Sequence, residues 1–590
     1  MKKNLKIIGQ SIKYVFKRSK ICLFCYFLSF IFEAIEPLIY VIFSKYIINN
    51  LYPELLFDKA FMFVLIMISL QFSCSFFNGL FLKKIEEEAE KILYIQKKEM
   101  IKNQEKIFYE KTENSTFFDD YYHADEYINR GSNIHILNQI KTILSSIVTI
   151  IGLIYLLKEV SIIAIAICII IYFIKLKFIN IKNKKVYDYS LKATNQMRKD
   201  NFFIWGLTNL KYAKENRLFN TFPYISKRLD EADKSSTKLW YKQLKIDFNY
   251  SIFPAIIDGL LIFIIYFSMV LSFKFKELTI GDYSMLLAAF ISFSQTINAI
   301  IDAYSAISKE NFYFDKYNEV IKLYKNTKKA NKYIIDKIET IEFKNVSYKY
   351  LNSEKYALNN INLKISANDF KKISIVGKNG SGKSTFIKLL MRLYEPTAGD
   401  IYLNNINIKD IDNDTYYKLF SPVFQDYKIY NTTIKNNITF SLNESANDEL
   451  KKMELLDKVN NLKLKENTNI SKEFDQEGID FSLGERQKIA IARALHKDSL
   501  IMILDEPTAS LSASSENKLY KMVANLNNKM VFFISHRLSS CRFTDKIIVF
   551  DNGNIKEIGS HDELINKNGI YSELFLAQAE LYKKGGEEYE

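Results

Sequence analysis

Cysteine is scarce and scattered, five residues in 590, with no spacing that implies a disulfide framework and no metal-ligand cluster. Cys22 and Cys25 have C-x-x-C spacing, but they lie inside an apolar run, where packing is the expected role. Acid is missing altogether from residues 1–20, against seven Lys or Arg. No small-residue cleavage site follows that basic stretch, and the apolar run after it is far too long for a secretory signal peptide. The arrangement is the one that keeps a membrane protein's N-terminus in the cytoplasm. It also argues against nucleic acid as the reason for the net charge of +14.

What is present divides in two. Hydrophobic residues make up 48% of the chain and charged ones 25%, an average that suggests a strongly apolar part joined to a soluble one, with length for several domains. A membrane domain is expected over 1–325, a polar linker over 326–337 and a soluble domain over 338–590. A bilayer core needs about 20 apolar residues per helix. Six segments meet or approach that length: 21–48, 60–82, 137–157, 160–178, 252–273 and 283–306. Lys141 in the third must snorkel, and only Lys158 and Glu159 part the third from the fourth, as in a tight hairpin. The outer loops (49–59, 158–159, 274–282) are short, whereas the inner connections (83–136, 179–251) are long, charged and helical in pattern.

Beyond the linker come the strand patterns "IEFKNVSYKY" and "NINLKI", then "KKISIVGKNGSGKSTFIKLL". A buried strand over 373–376 and a helix from Ser384 flank Gly377-x-x-x-x-Gly382-Lys383-Ser384, the P-loop pattern in its strand–loop–helix setting. Glycines let backbone N–H groups close around phosphates, and the helix N-terminus adds positive potential. The candidate phosphate contacts are Gly377, Asn379, Gly380, Ser381, Gly382, Lys383, Ser384 and Thr385. Lys383 is expected to reach the β- and γ-phosphates of ATP, and Ser384 to bind Mg²⁺. A second apolar run, "SLIMILDEPTAS", delivers Asp505 for Mg²⁺ and Glu506 to orient and deprotonate the attacking water. A third, "MVFFISHR", delivers His536 from another strand end.

The P-loop, "VFQD", "FSLGERQ", "ILDEPT" and "ISHR" follow one another in an order and spacing that resemble the ATP-binding cassette domain, over about 338–581 and including the late "GSHDELI". With the six spans, almost the whole chain resembles an ATP-binding cassette exporter half-transporter, of the bacterial peptide, lantibiotic and multidrug group. The fold class implied is a six-span α-helical membrane domain followed by an α/β P-loop ATPase domain. The resemblance implies that Tyr350 stacks on adenine, that Gln425 contacts Mg²⁺ and the attacking water, and that His536 contacts the γ-phosphate. It places Glu477-Gly478 at the coupling contact. It also likens 108–131 and 212–222 to inner loops whose coupling helices press on the nucleotide domains. It implies an obligate dimer in the cell membrane that uses ATP and Mg²⁺ to export a peptide, drug-like or amphipathic cargo. Lipid flipping, exporter-fold import and a sensing or regulatory membrane ATPase stand as alternatives. No peptidase domain precedes the first span, so leader cleavage by this chain is not expected.

"FSLGERQ" occupies the family's signature position, where each signature covers ATP held by the other chain. Ser482 and Gly484 keep their places as candidate contacts. Leu483 stands where Gly can take positive φ, and Glu485 replaces an amide, although related exporters also carry Glu there. "TASLSA" puts Ser512 in place of an Asp. Elements acting on the chain's own ATP are thus intact while those acting on a partner's are altered, a split that favours a heterodimer over a homodimer. Glu33, Glu36, Asp258 and Asp302 lie within apolar segments. Carboxylates there are costly and face a cavity or a partner. With no basic residue read deep in the spans, they lean toward a cationic or amphipathic cargo. Pro37 beside Glu36 reads as a kink.

Overall fold

The computed structural model describes residues 2–52, 55–157, 162–206, 209–275, 279–325, 333–351, 353–473, 475–508, 511–526, 528–535 and 537–587. It divides into two compact units, Met1–Ile107 with Lys111–Asn326, and Phe108–Glu110 with Thr327–Glu590.

Helices build the first unit: α1 (Lys2–Arg18), α2 (Lys20–Leu51), α3 (Phe57–Gln104), part of the single turn α4 (Tyr109–Thr112), whose Tyr109 and Glu110 belong to the second unit, α5 (Ser115–Asn129), α6 (Ser132–Leu157), α7 (Ile162–Asn201), α8 (Ala213–Leu218), α9 (Phe222–Phe275) and α10 (Ile280–Lys325). Five of them, α2, α3, α6, α9 and α10, are long and apolar enough to cross a membrane, by length and composition among the described residues. The fourth expected span falls in α7, which is not one of these five, and the hairpin at 158–159 lies outside the described residues. At about 1.5 Å per residue, the 48 residues of α3 extend to roughly 70 Å, more than twice a hydrocarbon core of about 30 Å. The expected inner connections are thus largely continuations of the spans. Pro37 sits inside α2 without ending it. Cys22 and Cys25 are buried against Ile85, Ile92 and Leu137, in the packing role expected of them.

The acids within the apolar segments add partners to the sequence reading. Lys175, inside the fourth expected span, is 6% exposed and donates to both Asp258 oxygens at 2.6 and 2.8 Å and to Asn298 Oδ1 at 2.7 Å. Lys141 lies 2.7 Å from Glu33 Oε2, whose other oxygen accepts from Ser145 Oγ at 3.3 Å. Cations of the third and fourth expected spans therefore meet two of the four acids, Glu33 and Asp258. The reason is electrostatic: in a low dielectric a carboxylate is stable only beside a cation or donors from a neighbouring helix. Glu36 accepts from Ser75 Oγ at 3.0 Å. Asp302 lines a cavity of about 550 Å³ with Arg130, His135, Lys309 and Glu310.

The second unit opens on an antiparallel sheet of order β2-β1-β4-β5, formed by β1 (Thr340–Tyr348), β2 (Leu358–Ser366), β4 (Ala398–Leu403) and β5 (Ile406–Asn407). A second sheet has the order β10-β9-β3-β8-β7-β6, from β3 (Lys372–Gly377), β6 (Phe420–Val423), β7 (Ile501–Asp505), β8 (Met530–Ile534), β9 (Lys546–Asp551) and β10 (Asn554–Gly559). All its pairings are parallel except β9 with β10. Strands covered on both faces need continuous apolar runs, and β8 is buried throughout. Around the sheets lie α11 (Lys383–Leu390), α12 (Asn413–Lys418), α13 (Ile434–Thr439), α14 (Asn447–Lys452), α15 (Leu456–Asn460), α16 (Leu483–His496), α17 (Ala513–Ala524), α18 (His561–Asn566) and α19 (Ile570–Glu587). One core joins both sheets to α11, and a second joins α16 and α17 to the other face of β7 and β8.

The ion pair among the spans gives a direct expectation. Lys175→Met leaves the Asp258 and Asn298 acceptors without their donor. The detergent-solubilised variant should melt at a lower temperature, and Lys175→Met with Asp258→Asn should recover part of the loss. Equal melting of wild type and Lys175→Met contradicts the pairing.

Candidate functional site

Parallel register places the chemistry. β8 pairs Ile534 with both Ile375 of β3 and Asp505 of β7, so the chain leaves all three strands at one edge of the sheet. That edge is where α/β sheets bind ligands. From β3 the chain turns at once through Gly377, Gly380 and Gly382, with φ of +150°, +76° and +105°. A Cβ on Gly377 would lie 2.2 Å from Phe550 O, and one on Gly382 2.6 Å from Leu358 Cδ2. The loop is thus closed to side chains at both ends, and α11 begins at Lys383 immediately after it.

Lys383 is buried and its ammonium donates to Gly377 O at 2.8 Å and Lys378 O at 2.9 Å. Burial lowers its pKa from the ordinary lysine value, with Glu506 and Asp505 acting against that shift. Ser381 is buried, and its Oγ finds no hydrogen-bond partner among the described residues. Ser384 is exposed in the first turn of α11, while Thr385 is buried and its Oγ1 meets Tyr350 Oη at 3.0 Å. The Tyr350 ring stands edge-on to Tyr348 and Tyr394, with centroids 5.1 and 5.8 Å apart.

Asp505 ends β7. Burial, and then the adjacent Glu506 carboxylate, push its pKa up to about 6 against the pull of Lys383. Glu506 takes a left-handed φ of +49°, a conformation that costs a non-glycine residue about 1–3 kcal/mol and clusters at functional sites. Its N–H donates to Ile534 O at 2.8 Å and its carbonyl accepts from Gln487 Nε2 at 3.2 Å. Gln425 Nε2 donates to Glu506 Oε2 at 2.9 Å. Asn379 falls in the turn between Gly377 and Gly380, and His536 lies outside the described residues. The P-loop, Tyr350, Gln425, Asp505 and Glu506 therefore form one connected site. Gln487, buried on α16, is a support that the sequence reading missed.

The donor set fits the groups that the motifs imply. A loop of glycines closed to Cβ atoms, a buried ammonium and an orphaned Ser381 hydroxyl suit a polyphosphate. The Ser384 hydroxyl, the Gln425 amide oxygen and the Asp505 carboxylate are hard oxygen donors suited to Mg²⁺.

The signature loop differs from its expectation. Leu483 is the first residue of α16 and is not among the positive-φ residues, so no backbone strain is stored there for glycine to relieve. The helix begins at this residue because Ser482 caps it. Ser482 Oγ accepts from Glu485 N at 3.4 Å and donates to Glu485 Oε2 at 3.0 Å, and the same oxygen accepts Ser482 N at 2.9 Å. This is a capping box, S-x-x-E, which the sequence itself displays. Lys458 Nζ binds Glu485 Oε1 at 2.6 Å. Burial raises the Glu485 pKa, but Lys458 and the two Ser482 donors outweigh it and hold the carboxyl below its usual value. Gly484 follows in the first helical turn, and Ser512 caps α17 by accepting from Ser515 N at 3.3 Å.

Residues 358–509 match the family described as ABC transporter. The chain is 32% identical over 396 residues to the subtilin transport ATP-binding protein SpaT of Bacillus subtilis, covering 65% of this chain and 63% of that protein. It is 34% identical over 393 residues to the nisin transport ATP-binding protein NisT of Lactococcus lactis subsp. lactis, 64% of each. An ATP-dependent lipid A-core flippase of Wigglesworthia glossinidia brevipalpis is 29% identical over 406 residues, 68% of each. The chain thus spans less than two thirds of the length of the first two relatives. A bacterial Atm1-family ABC exporter solved with ATP bound superposes with a TM-score of 0.80 at 19% identity, covering 96% of this chain and 99% of that one. Residues 358–509 therefore carry the match to the ABC transporter family, and the chain as a whole has the fold of that bacterial Atm1-family ABC exporter.

Proposed function

We propose that this chain is one half of a dimeric ATP-driven exporter of the cell membrane, with its nucleotide domain in the cytoplasm. The observation that carries the reading is the joining of Lys383, Asp505, Glu506 and Gln425 at one sheet edge, in a chain whose helices are long and apolar enough to cross a membrane. Tyr350 stacks on adenine. The amides from Gly377 to Thr385 wrap the phosphates, Lys383 moves from its loop carbonyls to the β- and γ-phosphates, and Ser381 gains a partner for its hydroxyl. Ser384, Gln425 and Asp505 would hold Mg²⁺, which would supply positive charge against the phosphates. Glu506, aimed by its left-handed backbone and held by Gln425, accepts the proton of the water that attacks the γ-phosphate, and His536 contacts that phosphate.

A peptide cargo, of the kind for which the first two relatives are named, is favoured over lipid flipping. The pairing of Glu33 and Asp258 removes half of the argument for a cationic cargo. We infer a heterodimer, supported by two features of the face that would meet a partner's ATP. Ser482 already gives its proton to a carboxylate, and Ser512 offers a hydroxyl where an acid is usual. On this reading ATP hydrolysis by the purified chain alone is negligible and returns on adding its co-encoded half-transporter.

Two expectations test the site. Glu506→Gln should retain ATP binding while nearly abolishing hydrolysis in the assembled dimer, and Lys383→Ala should weaken binding itself. Ordinary turnover in Glu506→Gln sinks the assignment of the base. The second concerns pH. A metal ligand must be deprotonated to bind, and Asp505 is protonated below about pH 6. Mg²⁺-dependent nucleotide affinity should therefore be flat from pH 8 to 6.5. It should then fall by up to about tenfold per pH unit below 6, as a proton competes for one ligand. Asp505→Asn should bind weakly at every pH with no such break, and a wild-type profile unchanged down to pH 5 contradicts the role of Asp505.

A further inference from the structure

The N-terminal helix presents three different strips. Ile7, Ser11 and Val15, four residues apart, are fully buried on the helical unit. Leu5, Ile12 and Phe16 are 60%, 38% and 53% exposed, and at about 100° per residue their directions fall within roughly 40° of one another. Lys6, Lys13 and Lys17 are exposed in a third strip about 100° farther round. Two further cations of the helix are used internally: Lys3 pairs with Asp315 at 3.0 Å and Arg18 with Glu99 at 2.5 Å. Lys6, Lys13 and Lys17 make no ion pair among the described residues, and the first acid in the sequence is Glu33.

Only Ser19 separates α1 from the span-length helix α2, whose own first turns expose Ile21 and Phe24. The helix is therefore held where a span meets water. A helix lying there sinks its apolar strip to the acyl boundary and raises lysines among the headgroups. We propose that α1 is a binding surface for anionic phospholipid, with Leu5, Ile12 and Phe16 seated in the leaflet and Lys6, Lys13 and Lys17 contacting headgroup phosphates. Charge selects this occupant. An apolar strip alone is satisfied by any lipid, whereas a cationic strip with no acid beside it gains from a negative surface and loses that gain in salt. The inference stands independently of the nucleotide site.

The test uses the full-length chain carrying Phe16→Trp, in nanodiscs of phosphatidylcholine that contain the same fraction of either brominated phosphatidylglycerol or brominated phosphatidylcholine. Quenching is measured relative to the wild-type chain, which corrects for the native tryptophans. At low salt the brominated anionic lipid should quench the introduced indole at least about twofold more than the neutral one. High salt, or Lys6→Gln with Lys13→Gln and Lys17→Gln, should remove that excess while leaving the quenching by the neutral lipid. Equal quenching by the two lipids at low salt overturns the headgroup contact. Absence of quenching by either lipid overturns the whole placement and assigns the strip to a protein partner. An excess that survives the three lysine substitutions overturns the assignment of those residues.

Discussion

The structure depends most on the parallel pairing of β3, β8 and β7. One residue, Ile534, is level with Ile375 on one side and Asp505 on the other. That alignment brings the glycine loop, the paired acids and the segment after β8 to one edge, although more than a hundred residues of chain lie between β3 and β7. A slip of one residue would exchange the side chains that face the two cores, and the acids would no longer end beside the loop. The core packed on both faces of these strands is thus also what fixes the site.

Charge is handled in a similar way at one place in each unit, where an ion is met by groups from another element. In the helical unit Lys175 bonds Asp258 and Asn298 from separate helices. At the start of α16, Glu485 takes the Ser482 amide and hydroxyl on one oxygen and Lys458 on the other. Asp505 is the exception. Its pKa is pushed up by burial and then by the carboxylate beside it, against the pull of Lys383 and Lys388. An acid under that stress suits a divalent cation, whose charge reverses the local balance.

Much of this was legible in the sequence because local patterns carry it. The P-loop needs a strand, glycines and a helix in succession, and residues 372–390 supply them in that order. The acids after "IMIL" and the long apolar runs are equally local. What was not legible depends on partners distant in the chain. Lys175 was read as part of a span, because nothing near it reveals Asp258, 83 residues away. Leu483 reads by analogy as a substitute for a glycine of positive φ, whereas the four-residue capping box Ser482–Glu485, which explains both its helical conformation and Glu485, is also present in the sequence. The left-handed backbone of Glu506 leaves no sequence signal, since it is imposed by its bonds to Ile534 and Gln487.

The most direct measurement of the central claim is vectorial uptake by inverted membrane vesicles that contain the chain, alone and with a second half-transporter, supplied with candidate peptides. The account predicts uptake that requires MgATP, is abolished by Glu506→Gln, and leaves the peptide inside after the vesicles are washed. ATP hydrolysis that proceeds normally with no uptake of any peptide, lipid or dye would contradict export and leave a membrane ATPase of another kind.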